Sequence, residues 1–340
     1  MKKYRLLDGS MSEQLKQFGY NCNDINNKPH WTFPANSDQS LMEKVYRSFL
    51  DIGVNNITTN TYHFGSILDK NLSGQEEKCK LYEKYFEDTC SLLCNLAQQY
   101  DDVQVWGSVG TFATKFHDCS EYNGKYMDNA GAEESAYEYY KTILTLFQER
   151  TTIRNLIFET IPSQLEGEVA LKVLKEFKEM KAVISFTFME NACLRHGEHV
   201  ADIAKKLKES EQIIGMGINC TDPKNVLPVL EAIKNCEFSD IFVYPNLGDA
   251  FFMVAEKGDF DDSDNYDHRL RSWIEHGATA LGGCCGIDLD MIQDLRSCVD
   301  ILNDILFADN NGKIESSQFE VLRESYSEHE NTNTLLQIYS

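Results

Sequence analysis

The sequence contains no apolar run that approaches the length of a membrane-spanning helix. Such a helix needs roughly 20 predominantly apolar residues. We expect no signal peptide either, because the charged residues 1–5 are followed by the polar Asp8-Gly9-Ser10 before an apolar core of about seven residues could form. We therefore expect a soluble, cytoplasmic protein without a membrane partner.

Positive charge is scarce. The 340 residues include 32 Lys and Arg against 54 Asp and Glu, which gives a formal net charge of −22. A surface of this sign repels phosphate backbones. The longest basic cluster, Lys205-Lys206-x-Lys208, has the spacing of a solvated helix face. The composition therefore predicts no binding to nucleic acid.

A disulfide framework is not expected either. Eleven cysteines are an odd count spread over a long chain, whereas disulfide scaffolds are typical of short secreted chains. We expect the cysteines to be reduced, and most of them to be small packing residues. The adjacent pair Cys284-Cys285 differs from the others because it directly follows two glycines.

Eight short apolar runs alternate with longer amphipathic segments along the chain. The runs cover residues 4–8, 54–59, 103–108, 156–159, 182–187, 213–218, 240–244 and 278–282. Regular alternation of strand and helix patterns predicts a parallel sheet, and eight units at this length predict a closed (β/α)8 TIM barrel of the α/β class. An open doubly wound sheet is the alternative, but no glycine-rich dinucleotide fingerprint follows the first run.

We predict one domain, a barrel over residues 1–305, followed by an acidic C-terminal tail over residues 306–340. The tail is polar and acidic, so it is expected either to be disordered or to dock on a partner subunit of a homo-oligomer. No linker or internal repeat divides the barrel region. Among the connecting segments, the one over 164–179 has the periodicity of a long helix.

Chemically useful side chains follow the predicted strands, where barrel enzymes place their active sites. Carboxylates stand after the first strand, at Asp8, and after the fourth, at Glu159; thiols follow the sixth, at Cys220, and the eighth, at Cys284 and Cys285. Cys220 and Cys284 are 64 residues apart, so only the barrel brings them to one rim. Three cysteine ligands with an open fourth position describe a catalytic zinc site. The alternative is a packing role for Cys220 and a redox-active or inert Cys284-Cys285 pair.

Taken together and in order, these strand-end motifs resemble those of the zinc-dependent homocysteine S-methyltransferase family, from about residue 4 to about residue 300. The matching motifs are Leu7-Asp8-Gly9-Ser10-Met11, Gly107-Ser108-Val109-Gly110, Ser120-Glu121-Tyr122-Asn123-Gly124-Lys125-Tyr126, Phe158-Glu159-Thr160-Ile161-Pro162, Ser185-Phe186-Thr187, Gly217-Ile218-Asn219-Cys220, Tyr244-Pro245-Asn246 and Gly282-Gly283-Cys284-Cys285-Gly286. Single motifs are weak, but the ordered set is specific.

The resemblance implies a zinc ion bound by Cys220, Cys284 and Cys285, which would be the catalytic residues. The homocysteine sulfur would take the fourth position as a thiolate and accept a methyl group, forming methionine. The motifs after strands three and four look like the subgroup that uses S-methylmethionine, and sometimes S-adenosylmethionine, as the donor. A betaine-type donor and a zinc-binding barrel without catalysis are the alternatives.

The resemblance also suggests how the substrates are bound. Asp8 and Glu159 are expected to hold the ammonium group of homocysteine. Further hydrogen bonds to the substrate or to its surroundings are expected from Ser108, Asn219 and Tyr244.

The methyl donor is a cation, and aromatic ring faces attract cations. Trp31, Tyr62 and Phe64 lie in the loops after the first two strands, where a donor could sit. Trp31 is as compatible with rim packing as with donor binding, and packing is favoured for the other two rings. The histidines His63, His117 and His196 are expected to be ordinary loop or surface residues.

Overall fold

The computed structural model describes residues 3–22, 31–67, 76–246 and 266–310. Its eight strands are all parallel and form one sheet in the order β1-β8-β7-β6-β5-β4-β3-β2. The strands are β1 Arg5–Leu6, β2 Asn56–Thr58, β3 Gln104–Gly110, β4 Asn155–Ile161, β5 Lys181–Phe186, β6 Ile213–Asn219, β7 Asp240–Tyr244 and β8 Ala280–Leu281. A parallel bridge between Leu7 and Asn56 joins β1 to β2. The predicted (β/α)8 barrel is confirmed.

Helices connect the strands on the outside of the barrel. They are α1 Met11–Gln17, α2 Gln39–Asp51, α3 Glu76–Ala97, α4 Ala132–Arg150, α5 Gln164–Leu174, α6 Val200–Lys208, α7 Val226–Ile233, α8 Tyr266–Glu275 and α9 Leu289–Asn310. Side chains at their first residues fix where several of them begin. The carboxylate of Asp38 accepts from the Leu41 amide at 3.0 Å, and the Ser163 hydroxyl accepts from the Glu166 amide at 3.2 Å, as expected of N-caps. No helix in these described ranges is both long and apolar enough to cross a membrane.

Two helix ends differ from the sequence prediction. The helix predicted over 164–179 ends at Leu174, because the side-chain amide of Gln212 donates to the carbonyls of Leu174, Phe177 and Met180, each at 3.0 Å. These contacts satisfy carbonyls that a longer helix would have paired. Helix α9 continues to Asn310, past the predicted barrel boundary at residue 305. The rest of the predicted tail, residues 311–340, lies outside the described residues.

Buried apolar side chains fill the interior of the barrel, so the open space lies at the carboxyl ends of the strands. Leu7, Trp106, Ile157, Val183 and Phe242 form a buried cluster inside the sheet. The rings of Trp106 and Phe242 meet edge to face at 5.2 Å across the barrel. This packing leaves the upper rim, where the βα loops begin, as the place for a binding site.

Candidate active site

Three thiols converge at the upper rim. Cys220 directly follows β6, and Cys284 and Cys285 follow β8 after two glycines. Their Sγ atoms all lie within 4.8 Å of one another, and those of Cys284 and Cys285 are 3.9 Å apart. All three are free thiols, with Cys220 buried and the other two partly buried. The structure therefore brings together the three residues that the sequence predicted as metal ligands.

Local backbone geometry makes this convergence possible. Cys220 has a φ of 45°, a left-handed conformation that is uncommon for a residue with a side chain. It is held there in part by the Thr187 hydroxyl, which donates to the Cys220 carbonyl at 2.7 Å. Sites of binding and catalysis often retain such strained residues.

The turn after β8 needs its glycines. A Cβ on Gly282 would lie 2.4 Å from the Leu7 Cβ, and one on Gly283 would lie 2.2 Å from the Ile287 side chain. The Cys284 amide also donates to the Pro245 carbonyl at 2.8 Å, which ties this turn to the end of β7. The two thiols that follow are thus fixed against β1 and β7.

The donor set fits a zinc ion. Tetrahedral bonds of about 2.3 Å to zinc place neighbouring thiolate sulfurs roughly 3.8 Å apart, close to the observed 3.9 Å between Cys284 and Cys285. Hydrogen bonds from Cys220 and Cys284 hold the pKa of Cys285 well below its usual value. The hydrogen bonds with Cys220 and Cys285 raise the pKa of Cys284. The cluster therefore already favours the thiolate form of Cys285, and a soft cation would favour the thiolate forms of Cys220 and Cys284 as well.

Two carboxylates, the buried Asp8 and the partly buried Glu159, face the same space. Asp8 is 7% exposed and accepts hydrogen bonds from the amide and hydroxyl of Thr58, both at 2.8 Å. Burial raises the pKa of Asp8 to about 6. Burial also raises the pKa of Glu159, to about 8. The charge of Asp8 adds to this rise, whereas the hydrogen bond from the Ser108 hydroxyl opposes it. A cation between the two carboxylates would favour the ionised form of both.

The Ser108 hydroxyl donates to Glu159 and orients that carboxylate. Tyr244 is buried, and burial together with the Glu159 charge raises the pKa of its hydroxyl well above the usual value. That hydroxyl makes no hydrogen bond of good geometry within the described part of the chain. Tyr244 thus offers a polar atom beside Glu159.

The Asn219 side-chain amide is hydrogen-bonded to neighbouring strand ends. Its side-chain oxygen accepts from the Thr160 amide at 2.9 Å and from the Ser185 hydroxyl at 2.8 Å. Its nitrogen donates to the Thr160 hydroxyl at 2.8 Å. Thr160 has a φ of 62°, so these bonds hold the end of β4 in a left-handed conformation next to Glu159.

The loop between β3 and α4 brings two residues to the site that the sequence analysis did not single out. Glu121 and Tyr122 belong to the short 3-10 helix Ser120–Tyr122. Burial raises the pKa of Tyr122, and the Cys220, Cys285 and Cys284 thiolates add to the shift. Burial likewise raises the pKa of Glu121, with Cys285 among the nearby charges. The sequence feature that could have identified both residues is their place in the family motif over residues 120–126.

The loops after β1 and β2 supply aromatic groups. Trp31 is 37% exposed, and its ring stacks on His63 with centroids 5.8 Å apart. The charge of His63 contributes to lowering the pKa of Cys285, so this histidine lies near the thiols rather than being an ordinary loop residue. Tyr62 is also in the site, where burial raises its pKa and Thr160 is a hydrogen-bond partner. Phe64 is buried in the hydrophobic core instead.

Comparison with known proteins identifies the family. Residues 5–299 match the sequence model described as Homocysteine S-methyltransferase. The homocysteine S-methyltransferase YbgG of Bacillus subtilis is 27% identical over 307 residues, which cover 86% of this chain and 93% of that protein. Homocysteine S-methyltransferase 3 of Arabidopsis thaliana is 26% identical, with 83% and 86% covered. A betaine-homocysteine S-methyltransferase of Drosophila melanogaster is also 26% identical, with 82% and 89% covered.

A solved structure supports the fold. The metallated form of the homocysteine methyltransferase MmuM from Escherichia coli superimposes with a TM-score of 0.73 at 21% identity, covering 87% of this chain and 96% of that one. The family match spans the barrel from β1 into α9 and includes every strand end described above. The resemblance read from the motifs is therefore confirmed, and the chain belongs to the homocysteine S-methyltransferase family.

Proposed function

We propose that this protein transfers a methyl group from a sulfonium donor, S-methylmethionine or S-adenosylmethionine, to zinc-bound homocysteine and so forms methionine. The observation that carries the proposal is the convergence of three free thiols within 4.8 Å at a rim that also holds the buried Asp8 and the partly buried Glu159. Cys220, Cys284 and Cys285 would be the metal ligands and, through the metal, the catalytic residues.

Zinc suits this site because three cysteine ligands leave a fourth position for a substrate. When bound, the ion keeps the homocysteine sulfur deprotonated at neutral pH, where a free thiol with a pKa near 8.5 is mostly protonated. A metallated form is known for the similar MmuM of Escherichia coli.

The carboxylates orient the acceptor. Asp8 and Glu159 would receive the homocysteine ammonium between them, and Ser108 holds Glu159 in place. The Tyr244 hydroxyl, buried beside Glu159, is available to a polar atom of the substrate. Charged hydrogen bonds of this kind contribute about 1.5–3 kcal/mol each, enough to select an amino-acid thiol over a simple one.

The donor would enter on the side of Trp31 and Tyr62. A face-on contact between an aromatic ring and a cation contributes about 0.5–2 kcal/mol, which suits a sulfonium centre. The homocysteine sulfur forms a bond to the methyl carbon as the bond from that carbon to the donor sulfur breaks, and the donor leaves as a neutral thioether. The two charges cancel in this step, so a site that excludes water favours it.

The test combines metal analysis of the purified protein with steady-state methyl transfer from S-methylmethionine, S-adenosylmethionine and betaine at equal concentrations. We expect about one zinc per chain and the highest kcat/KM with S-methylmethionine. A higher kcat/KM with betaine, the donor named for the Drosophila relative, would overturn the choice of donor. Turnover without bound metal would overturn the zinc mechanism, and zinc without turnover would indicate a non-catalytic barrel. The cytoplasmic location and the homo-oligomer stay predictions.

A further inference from the structure

A second buried carboxylate, besides Asp8, lies outside the groups assigned above. Glu166, in the first turn of α5, is 0% exposed. It accepts hydrogen bonds from the Thr111 hydroxyl at 2.8 Å, the Phe112 amide at 2.7 Å and the Tyr140 hydroxyl at 2.5 Å. The Tyr126 hydroxyl donates to its second oxygen. No lysine or arginine among the described residues forms an ion pair with it, so four neutral donors satisfy this carboxylate.

Three of these four donors belong to a single segment. Thr111 and Phe112 begin the connection between β3 and α4, and Tyr126 lies near its end. We call residues 111–131 the β3–α4 loop. The fourth donor, Tyr140, is inside α4. Glu166 therefore binds the β3–α4 loop at two points, one on each side of Glu121 and Tyr122.

The tip of the same loop has weaker support from outside. The guanidinium of Arg195 lies over the Tyr122 ring, 5.3 Å from its centroid. His196 contacts Asp128 at 3.0 Å and Glu198 at 2.9 Å, but its side chain is partly exposed. The buried hydrogen bonds to the loop, which water does not weaken, are those made to Glu166 and those of the Tyr139 hydroxyl with the Thr111 carbonyl at 3.1 Å and the Thr114 hydroxyl at 2.8 Å. Of these buried contacts, only those to Glu166 hold the loop on both sides of Glu121 and Tyr122.

We propose that Glu166 is a positioning residue for homocysteine binding, because its contacts hold both sides of the loop segment that carries Glu121 and Tyr122. Tyr122 is linked to the thiol site through Arg195, which lies over its ring and donates to the Thr187 hydroxyl, the group that donates to the Cys220 carbonyl. This inference rests on the proposed function, since it assigns the loop to the homocysteine side of the site. Glu166 touches no reacting atom. It acts through Thr111, Phe112 and Tyr126.

The chain offers a matched pair of variants for the test. Tyr126→Phe and Tyr140→Phe each remove one buried hydroxyl that donates to Glu166, but only Tyr126 lies in the loop. Tyr126→Phe also removes a contact with Thr111 of the same loop. Both variants are expected to lower the unfolding temperature by similar amounts. Only a positioning role predicts that they differ in kinetics.

We expect Tyr126→Phe to raise the KM for homocysteine roughly tenfold, the loss of about one charge-assisted hydrogen bond, with kcat changed less than threefold and zinc content unchanged. Tyr140→Phe should leave the KM for homocysteine within about twofold of the wild-type value. Glu166→Gln should raise the KM for homocysteine by more than Tyr126→Phe does. If Glu166→Gln does not fold, the comparison of the two tyrosine variants decides whether Glu166 has a positioning role.

Equal effects of the two tyrosine variants on the KM for homocysteine, or no effect of Tyr126→Phe, would overturn the positioning role. Either result, obtained beside an active wild-type enzyme, leaves the proposed function intact. A wild-type protein that transfers a methyl group to homocysteine from none of the three donors overturns both proposals together.

Discussion

Replacing Asp8 by asparagine should make the protein more stable and a poorer binder of homocysteine. The carboxylate is almost fully buried and accepts two hydrogen bonds from Thr58, which an asparagine side-chain oxygen of the same size can also accept. At pH 7 the wild-type fold must keep this group mostly ionised, because its pKa is raised by burial only to about 6. The neutral amide removes that unfavourable buried charge.

The size of the effect follows from the pKa. The rise from the usual 3.8 to about 6 corresponds to about 3 kcal/mol at 1.36 kcal/mol per pK unit. Between about pH 4 and 6 the folded protein binds more protons here than the unfolded chain, so stability falls as the pH rises through this window. The advantage of Asp8→Asn is therefore greatest above pH 6 and vanishes near pH 4. For a chain of this length it amounts to an increase of roughly 4 °C in unfolding temperature.

The assay compares thermal unfolding of wild type and Asp8→Asn at pH 7.5 and pH 4.5, with the KM for homocysteine measured at pH 7.5. Loss of a charged hydrogen bond to the ammonium should raise the KM about tenfold to a hundredfold, with zinc retained. Asp202→Asn, on the exposed face of α6, is the control and should change neither quantity. A less stable Asp8→Asn, or an equal gain at both pH values, would refute the burial argument. An unchanged KM would refute the binding role.

Three further substitutions test the other groups. Cys220→Ala should lose zinc and activity together while the barrel stays folded. The control Cys236→Ala, outside the cluster, should lose neither zinc nor activity. Metal analysis that finds full zinc in Cys220→Ala contradicts the assignment of Cys220 as a ligand. Glu159→Gln should raise the KM for homocysteine by about tenfold to a hundredfold with zinc bound, and an unchanged affinity rejects its role. Trp31→Ala should raise the KM for the methyl donor about twofold to thirtyfold without changing that for homocysteine, whereas Phe64→Ala should chiefly destabilise the fold, by about 3–5 kcal/mol.

The barrel was predictable because most of its strands are short, largely apolar and buried, and the helices between strands have a different period. The run over 240–244 matches β7 at both ends. The end of α5 was not predictable, since it depends on Gln212, which comes from the segment before β6 and reaches the carbonyls of Leu174 and Phe177. Local periodicity contains no information about such a distant partner.

The thiols and carboxylates of the site were predictable for a related reason. Parallel strands in a barrel end at one rim, so residues at or beyond the carboxyl ends of β1, β4, β6 and β8 must be neighbours; Glu159 lies within β4 itself, near its carboxyl end. The direction in which each side chain points could not be predicted from the strand pattern. Asn219 lies at the predicted strand end, but its amide is used by Thr160 and Ser185. His63 and Tyr122 reach the thiols through loop conformations that no strand pattern specifies.

The charge of the site leads to one more expectation. Cys285 favours a thiolate. Burial raises the pKa of Glu159 to about 8, and the charge of that thiolate contributes to the rise. Near pH 7 the Glu159 carboxyl is therefore mostly protonated in the free protein. An ammonium placed beside it would favour the ionised form, and binding should release up to about one proton. Homoserine carries the ammonium of homocysteine but no thiol, so proton release on homoserine binding reports on the carboxylates alone. Calorimetry in two buffers with different ionisation enthalpies measures it. We expect release by the zinc-loaded wild type at pH 7 and none by Glu159→Gln; equal release by both would show that Glu159 does not receive the ammonium.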